Sequence, residues 1–291
     1  MSMLVSVIIP THNAAAYLEA QLDALLAQTV AAEIIVVDSG SEDETVAIAG
    51  RYGERVKVME IPAASFDHGG TRHAALAQSK GEFVCFLTQD ALPVGGTFLE
   101  ELLLPFREAD VAAVYGRQVA YPTAPAYERL TRAFNYPDLP RTWREADIPR
   151  YGVKAFFFSN CAAAYRRSAY EAAGGFDRPI ATNEDMMMAA KLLHAGYALS
   201  YAPRAAVYHS HEMTLGEEYR RYVKIGAVMH RYRHRLCCGS ADGEGRRMVG
   251  YVLRGLASEG RWGEMAVFLA HAAVRFAGNR VGAARDRGDA G

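Results

Sequence analysis

The sequence predicts an α/β protein built on a doubly wound, mostly parallel sheet with helices on both faces and a helical extension at its C-terminal end. Three observations carry this. Short apolar runs alternate with helix-patterned segments over residues 4–115, the rhythm of a parallel sheet with right-handed crossovers. The runs end on polar tips, Thr11-His12-Asn13, Asp38-Ser39-Gly40 and Thr88-Gln89-Asp90, where open α/β sheets bind ligands. From Thr214 onward the pattern is helical and basic.

Leu4 to Ile9 reads as the first strand, ended by Pro10, which lacks a ladder donor. Asn13 is placed to cap a helix beginning near Ala14, with apolar spacing at Leu18, Leu22, Leu25 and Leu26. Glu33 to Val37 is a second strand, Glu44 to Tyr52 a helix, and Val56 to Ile61 a third strand. A Gly-rich loop carrying Arg72 leads into a helix from His73 to Gln78. Phe83 to Leu87, a continuous apolar run bounded by Gly81 and by a turn at Leu92 to Gly96, reads as a buried central strand.

Residues 97–108 look helical, and Val111 to Tyr115 is a further strand. Tyr121 to Tyr151, broken by five prolines and rich in aromatic and basic residues, reads as one long irregular segment. Val153 to Phe158 reads as a strand, followed by a helix capped by Ser168 and closed by Gly174-Gly175. Asn183-Glu184-Asp185 opens a helix to His194. Two short strands, Tyr197 to Tyr201 and Ala205 to Tyr208, then lead to His209-Ser210-His211.

Composition narrows the function. With 291 residues and 51% hydrophobic residues the chain can bury a large core. Its net charge of -1 argues against a nucleic-acid partner. That neutrality conceals an acidic body and a basic tail, since residues 214–291 hold 14 Lys and Arg against 8 Asp and Glu. Four cysteines without metal-ligand spacing suggest reduced thiols in the cytoplasm. No secretory leader and no apolar run of spanning length is expected. No dinucleotide or P-loop signature follows the first strand.

The motifs in combination, Val5 to Asn13, Ile35 to Asp43, Lys80-Gly81-Glu82 before Thr88-Gln89-Asp90, Gly174-Gly175-Phe176-Asp177 and Asn183-Glu184-Asp185, resemble the family 2 glycosyltransferases of GT-A fold over residues 4–211. Phe66 to Arg72 with Thr88 to Ala91 is similar to bacterial rhamnosyltransferases of surface-polysaccharide assembly. The resemblance implies a catalytic domain over 1–213, with a donor-binding half to about 118 and an acceptor-side half from about 119, followed by a basic extension over 214–291. It implies inverting transfer of a sugar, L-rhamnose from dTDP-rhamnose, to a glycan or lipid-linked glycan. The alternatives are a UDP- or GDP-sugar donor, a degenerate sugar-nucleotide-binding subunit, or a nucleotidyltransferase, which would want a basic Gly-rich turn after the first strand.

A diphosphate leaving group needs a cation or fixed positive charge, and the acceptor hydroxyl needs a carboxylate base. On the resemblance, Asp90 would anchor Mg²⁺ or Mn²⁺ with His209 or His211 completing the site. Thr88 stands where the family often has a first acid. Asp185 is the candidate base with Glu184 as the alternative, and either acid could simply favour the helix start. Pro10, Thr11, Asn13, Asp38, Ser39, Gly40, Gln89 and Arg72 would hold the donor, although Asp38 could cap its turn and Arg72 could be solvated. The basic tail fits either the inner face of a membrane or packing on the domain, including a homodimer.

Overall fold

A computed structural model describes residues 4–210, 213–236 and 242–289. His211 and the Cys237-Cys238 pair lie outside them. The chain opens with β1 (Val5–Thr11), α1 (Ala15–Leu26), β2 (Glu33–Asp38), α2 (Thr45–Gly50), β3 (Val56–Glu60), α3 (His68–Gln78) and β4 (Phe83–Leu87). A two-residue β5 (Leu92–Pro93), α4 (Phe98–Leu103) and β6 (Val111–Val119) follow. Then come α5 (Ala126–Asn135), β7 (Arg141–Trp143), α6 (Ile148–Tyr151), β8 (Ala162–Arg166), α7 (Arg167–Ala172), α8 (Glu184–His194) and β9 (Ala198–Tyr208). Helices α9 (Leu215–Arg231), α10 (Asp242–Ser258) and α11 (Trp262–Asp289) complete the chain.

The nine strands among the described residues form one sheet, in the order β3-β2-β1-β4-β8-β6-β9-β5, with β7 on β9. The first four are mutually parallel, and β8 runs antiparallel between β4 and β6. Alternate side chains feed two cores. Val5, Val7, Ile9, Phe83, Cys85 and Leu87 pack on α1 and α4, while Ile8, Val84 and Phe86 face the side of α3 and α8. The period-2 geometry of a strand covered on both faces explains why these runs are apolar throughout.

Several local expectations change. β1 continues through Pro10 to Thr11. The Thr11 carbonyl accepts from the Ser39 N–H at 2.9 Å, so Pro10 turns its backbone towards β4, beyond the last paired residue, Ile8. No ladder bond is lost there. Asn13 does not cap α1. It sits at φ 50° and accepts the Glu42 N–H instead.

The run 153–158 is a 3₁₀ turn followed by extended chain, and the ladder falls at Ala162–Arg166. The Phe156 and Phe158 side chains fill the core rather than marking a strand. The aromatic-rich segment after Tyr121 contains α5, whose start follows Pro125, a residue compatible with a helix beginning. The two strands expected near 197–208 are one strand with a shift in its pairing.

The motif around Gly69 and Gly70 is helical rather than looped. Asp67 caps α3 by accepting the Gly70 N–H at 2.6 Å, and its other oxygen accepts the Ile180 N–H at 2.8 Å. A Cβ on Gly69 would lie 2.4 Å from the Asp177 carbonyl oxygen, so glycine is what lets α3 dock on the turn before α8.

The basic tail packs on the body. α9 and α11 approach closely through small residues: a Cβ on Gly226 would meet the Asn279 carbonyl oxygen at 2.1 Å, and one on Gly282 the Val223 carbonyl oxygen at 2.0 Å. Phe268, Val252 and Leu256 form a separate small core with Ala126 of α5. Arg235 pairs with Asp177, and Arg231 with Asp286 at 2.8 Å. Gly282→Val is expected to lower the thermal midpoint by an amount equivalent to about 1–3 kcal/mol or more of overpacking, read by circular dichroism. An unchanged midpoint would mean that the two helices are not held this closely.

Candidate active site

The carboxyl end of β4, the end of β9, the start of α8 and the first tail helix open onto one cavity of about 470 Å³. Asp90, His209, Asp185, Glu184 and Arg72 all line it. The chain reaches this arrangement because β4 pairs with β8, β8 with β6 and β6 with β9. Asp90 and His209, far apart in sequence, are thereby brought to the same mouth.

Asp90 sits in the turn between β4 and β5. Gln21 of α1, itself buried, secures that turn by donating its amide to the Thr88 and Ala91 carbonyls, both at 2.7 Å. Opposite, His209 Nε2 lies 3.4 Å from Asp90 Oδ2. The other ring nitrogen, Nδ1, is 2.9 Å from Gln118 Oε1. The amide of Gln118 is fixed in turn, because its nitrogen donates to Tyr136 Oη (2.6 Å) and Ser159 Oγ (2.9 Å). Its oxygen also accepts from Arg132.

An amide oxygen only accepts, whereas Arg132 Nη2, 3.2 Å from the same Nδ1, only donates; the shorter Gln118 contact favours a proton on Nδ1. Burial works against a charged ring, but Cys161 and Asp90 more than offset it and raise His209 to about 9. In that state Nε2 also holds a proton, shared with Asp90. A cation can take that proton's place with no change at Nδ1.

The residues present fit a hard divalent cation. A carboxylate and an imidazole held in this way are suitable ligands. Among the described residues no set of three His, Cys, Asp or Glu side chains converges on one point. An ion bound here would therefore complete its coordination with ligand oxygens and water.

The two acids opening α8 are held differently. Glu184 Oε1 accepts from Asn160 Nδ2 at 3.1 Å and lies 3.3 Å from Arg72 Nη1, both side chains being almost fully buried. Burial alone would raise the Glu184 pKa, but Arg72, then His68 and Asn160, outweigh it and keep the carboxylate ionised. Asp185 accepts the Asn160 N–H at 3.0 Å and the Met186 N–H at 2.7 Å. Burial, and then the neighbouring Glu184 charge, push Asp185 up to about 7. One acid is spent on a structural ion pair, and the other is poised to exchange a proton near neutrality.

The other residues expected to hold a donor cluster at the ends of β1 and β2, outside the cavity lining. Asp38 is buried and heavily used. Its Oδ1 accepts from Thr11 Oγ1 (3.1 Å) and Ser41 Oγ (2.5 Å), and its Oδ2 from the Ser41 N–H (2.9 Å). The capping part foreseen for it is real, and only Oδ2 keeps spare accepting capacity. Ser39 donates to the Thr11 carbonyl at 2.8 Å. Gly40 takes φ 74°, the left-handed conformation the turn needs. Gln89 is clipped to the backbone of His12 by bonds of 2.8 and 3.2 Å, tying β1 to β4.

Arg72 lies inside α3 and also donates to the His68 carbonyl at 3.0 Å. It is an inward-facing partner of Glu184, not a solvated loop cation. Gln21, Gln118, Asn160 and Arg132 were not singled out in the sequence. Single polar residues at strand and helix positions carry no pattern that reports them. Nor did the sequence show that Glu218, His271 and Arg275 of the tail line the same cavity, where His271 Nδ1 lies 2.5 Å and Arg275 Nε 2.6 Å from the Glu218 carboxylate.

A strand-end acid with a histidine beside it, and a separate acid of near-neutral pKa in the same cavity, on a mostly parallel sheet with antiparallel β8 inserted between β4 and β6, describe a GT-A-type nucleotide-sugar transferase. The chain belongs to glycosyltransferase family 2: the Glycosyl transferase family 2 model matches residues 6–174. It is 39% identical over 256 residues to the O-antigen chain rhamnosyltransferase RfbN of Salmonella typhimurium, covering 85% of this chain and 79% of that one. To the O-antigen chain rhamnosyltransferase WbaN of Salmonella anatum it is 41% identical over 249 residues, 84% and 78% of the two chains. The fold matches a mannosyltransferase from Pyrobaculum calidifontis solved with GDP-Man and Mn²⁺, with a TM-score of 0.65 and 21% identity over 99% of this chain and 88% of that one.

The acid pair gives the fold a pH signature. Asp185 titrates higher in the folded chain than its ordinary value of 3.8, so the folded state holds the proton more tightly. Its contribution to stability is greatest at low pH and is lost as pH rises towards 7. Thermal midpoints of wild type and Asp185→Asn should therefore diverge between pH 5 and pH 8, the wild type losing more. Parallel curves would mean that Asp185 titrates normally.

Proposed function

We propose that this enzyme is an inverting glycosyltransferase that moves L-rhamnose from dTDP-rhamnose to a glycan or lipid-linked glycan during O-antigen or related surface-polysaccharide assembly. The observation that carries the chemistry is the single cavity shared by Asp90, His209 and Asp185. The similarity to two O-antigen chain rhamnosyltransferases over most of the chain supports the donor and the pathway.

On this reading residues 1–213 form the catalytic unit. The donor nucleoside lies over Pro10, Thr11, Asn13, Asp38, Ser39, Gly40 and Gln89 at the ends of β1, β2 and β4, with the diphosphate towards Asp90. Asp90 and His209 would hold Mg²⁺ or Mn²⁺, which would supply positive charge to offset that developing on the leaving diphosphate. Asp185 removes the proton from the acceptor hydroxyl as its oxygen attacks the anomeric carbon. The bond from that carbon to the diphosphate oxygen breaks on the opposite face, releasing dTDP with inversion.

Glu184, locked between Arg72 and Asn160, holds the field that keeps Asp185 basic and fixes the loop at Asn160. This arrangement supports Asp185 rather than Glu184 as the base. The acceptor enters on the side walled by α5 and the tail, where Tyr127, Tyr222, Glu218, Arg221, His271 and Arg275 supply stacking and hydrogen-bonding groups. The tail is thus a wall of the acceptor site.

Gln118 deserves its own variant because it holds Nδ1 of the proposed ligand. Residues that orient a metal-bound histidine are worth about 10–100-fold in metal affinity, so Gln118→Ala should weaken Mn²⁺ binding by about that factor. The measurement is Mn²⁺ titration by electron paramagnetic resonance in the presence of dTDP, and an equal affinity would remove the positioning role.

Asp90→Ala should lose both the Mn²⁺ signal and transfer, whereas Asp185→Asn should lose turnover by at least about 10² and keep donor binding in a thermal-shift assay. Turnover retained by Asp185→Asn would move the base elsewhere. Stabilisation by UDP- or GDP-sugars and not by dTDP-rhamnose would replace the donor while leaving the family reaction intact.

A further inference from the structure

The last helix has two working faces. Its inner face carries His271 and Arg275 into the cavity, and Gly278 and Gly282 against α9. The outer face is unusual for a protein surface. Trp262, Leu269 and Phe276 are 66%, 47% and 59% exposed, and they fall seven residues apart. That spacing sets them in nearly one line along the helix, over about 21 Å at 1.5 Å per residue. Exposed alanines 266, 270, 273 and 277 fill the space between.

The charges near this stripe have one sign. From Met265 to Arg287 the only acid is Asp286, which is buried and paired with His230 and Arg231. Arg280, whose guanidinium lies 5.8 Å from the centre of the Phe276 ring, and Arg285 and Arg287 are exposed at the C-terminal end. At the other end Arg261 is taken up by Glu259 and Glu264. No helix among the described residues is long and apolar enough to cross a membrane. An apolar stripe with an indole at one end and unpaired arginines at the other suits a helix lying in the plane of a bilayer interface.

We infer that the outer face of α11 docks the enzyme onto an anionic lipid surface, with Trp262, Leu269 and Phe276 inserted at the headgroup boundary and Arg280 and Arg287 on the lipid charges. Charge complementarity favours this occupant over a second copy of the chain: parallel pairing of two such helices would bring like arginines together, and antiparallel pairing would offer them only Glu259 and Glu264, which Arg261 already occupies. The inference stands on this surface and not on the sugar donor. It also gives the site an orientation, because the cavity lies behind the opposite face of the same helix.

The full chain supplies its own probe, since the other tryptophan, Trp143, is buried at 3% exposure. Vesicles of phosphatidylcholine with phosphatidylglycerol should bind the protein, shift the Trp262 emission to the blue and permit quenching by brominated lipid, with neutral phosphatidylcholine vesicles binding at least about tenfold more weakly. The variant Trp262→Ser/Leu269→Ser/Phe276→Ser should fail to co-sediment. Arg280→Glu/Arg287→Glu, which leaves the apolar stripe in place, should lose at least about tenfold in affinity and its sensitivity to salt. Absence of wild-type binding to the anionic vesicles, equal binding to both vesicle types, or unchanged binding by both variants would overturn the inference. So would a dimer in sedimentation velocity that the triple substitution dissociates.

Discussion

The site depends on placing two neighbouring carboxylates on one cavity wall, Glu184 buried and Asp185 half-buried, with a single guanidinium against Glu184. Burying two charges of one sign is costly, and the fold resolves the conflict unequally. Arg72 and Asn160 satisfy Glu184. Asp185, left with two backbone N–H groups, keeps its proton to about pH 7. A matched pair of ordinary acids would make a poor base. The asymmetry makes one of them useful, and it explains why the surrounding motif is so particular. Asp67 and Gly69 seat α3 against the turn before α8, and α3 carries Arg72 to Glu184.

The same economy governs the other half of the cavity. Asp90 is positioned from behind by Gln21, and His209 by Gln118, which is itself held by Tyr136, Ser159 and Arg132. These supports come from α1, β6, α5 and the loop before β8. A functional pair of two side chains thus draws on much of the chain. Thr88, the departure from the two-acid pattern, sends its hydroxyl 3.4 Å from the Cys161 sulfur, so on the proposed reading Asp90 and His209 would share the cation role. The tail joins this design through Glu218, His271 and Arg275.

How much of this was legible follows from range. Strands such as Phe83 to Leu87 could be read because burial on both faces writes itself as an unbroken apolar run. The strand-end acids followed from them. Phe156 to Phe158 misled for the same reason: a short apolar run records burial and not backbone pairing, and these rings are buried without being in the ladder. Helix α5 was hidden by prolines that in fact flank it on both sides. Asp185, Glu184, Asp90 and His209 were visible through ordered motifs. Gln118, Asn160 and Gln21 were not, because what makes them important is a partner more than twenty residues away. The tail's charge was visible, but its division between inward ion pairs and an outward stripe required the helix faces.

The most direct test of the account is where a cation binds. Anomalous diffraction from crystals grown with Mn²⁺ and dTDP should place a single manganese peak between Asp90 and His209, in contact with the diphosphate, with Gln118 still bonded to Nδ1 of His209. A peak elsewhere, at Asp38 or between Glu184 and Asp185, or a fully bound dTDP with no manganese beside it, would contradict the assignment of Asp90 and His209 and with it the division of labour proposed for the cavity.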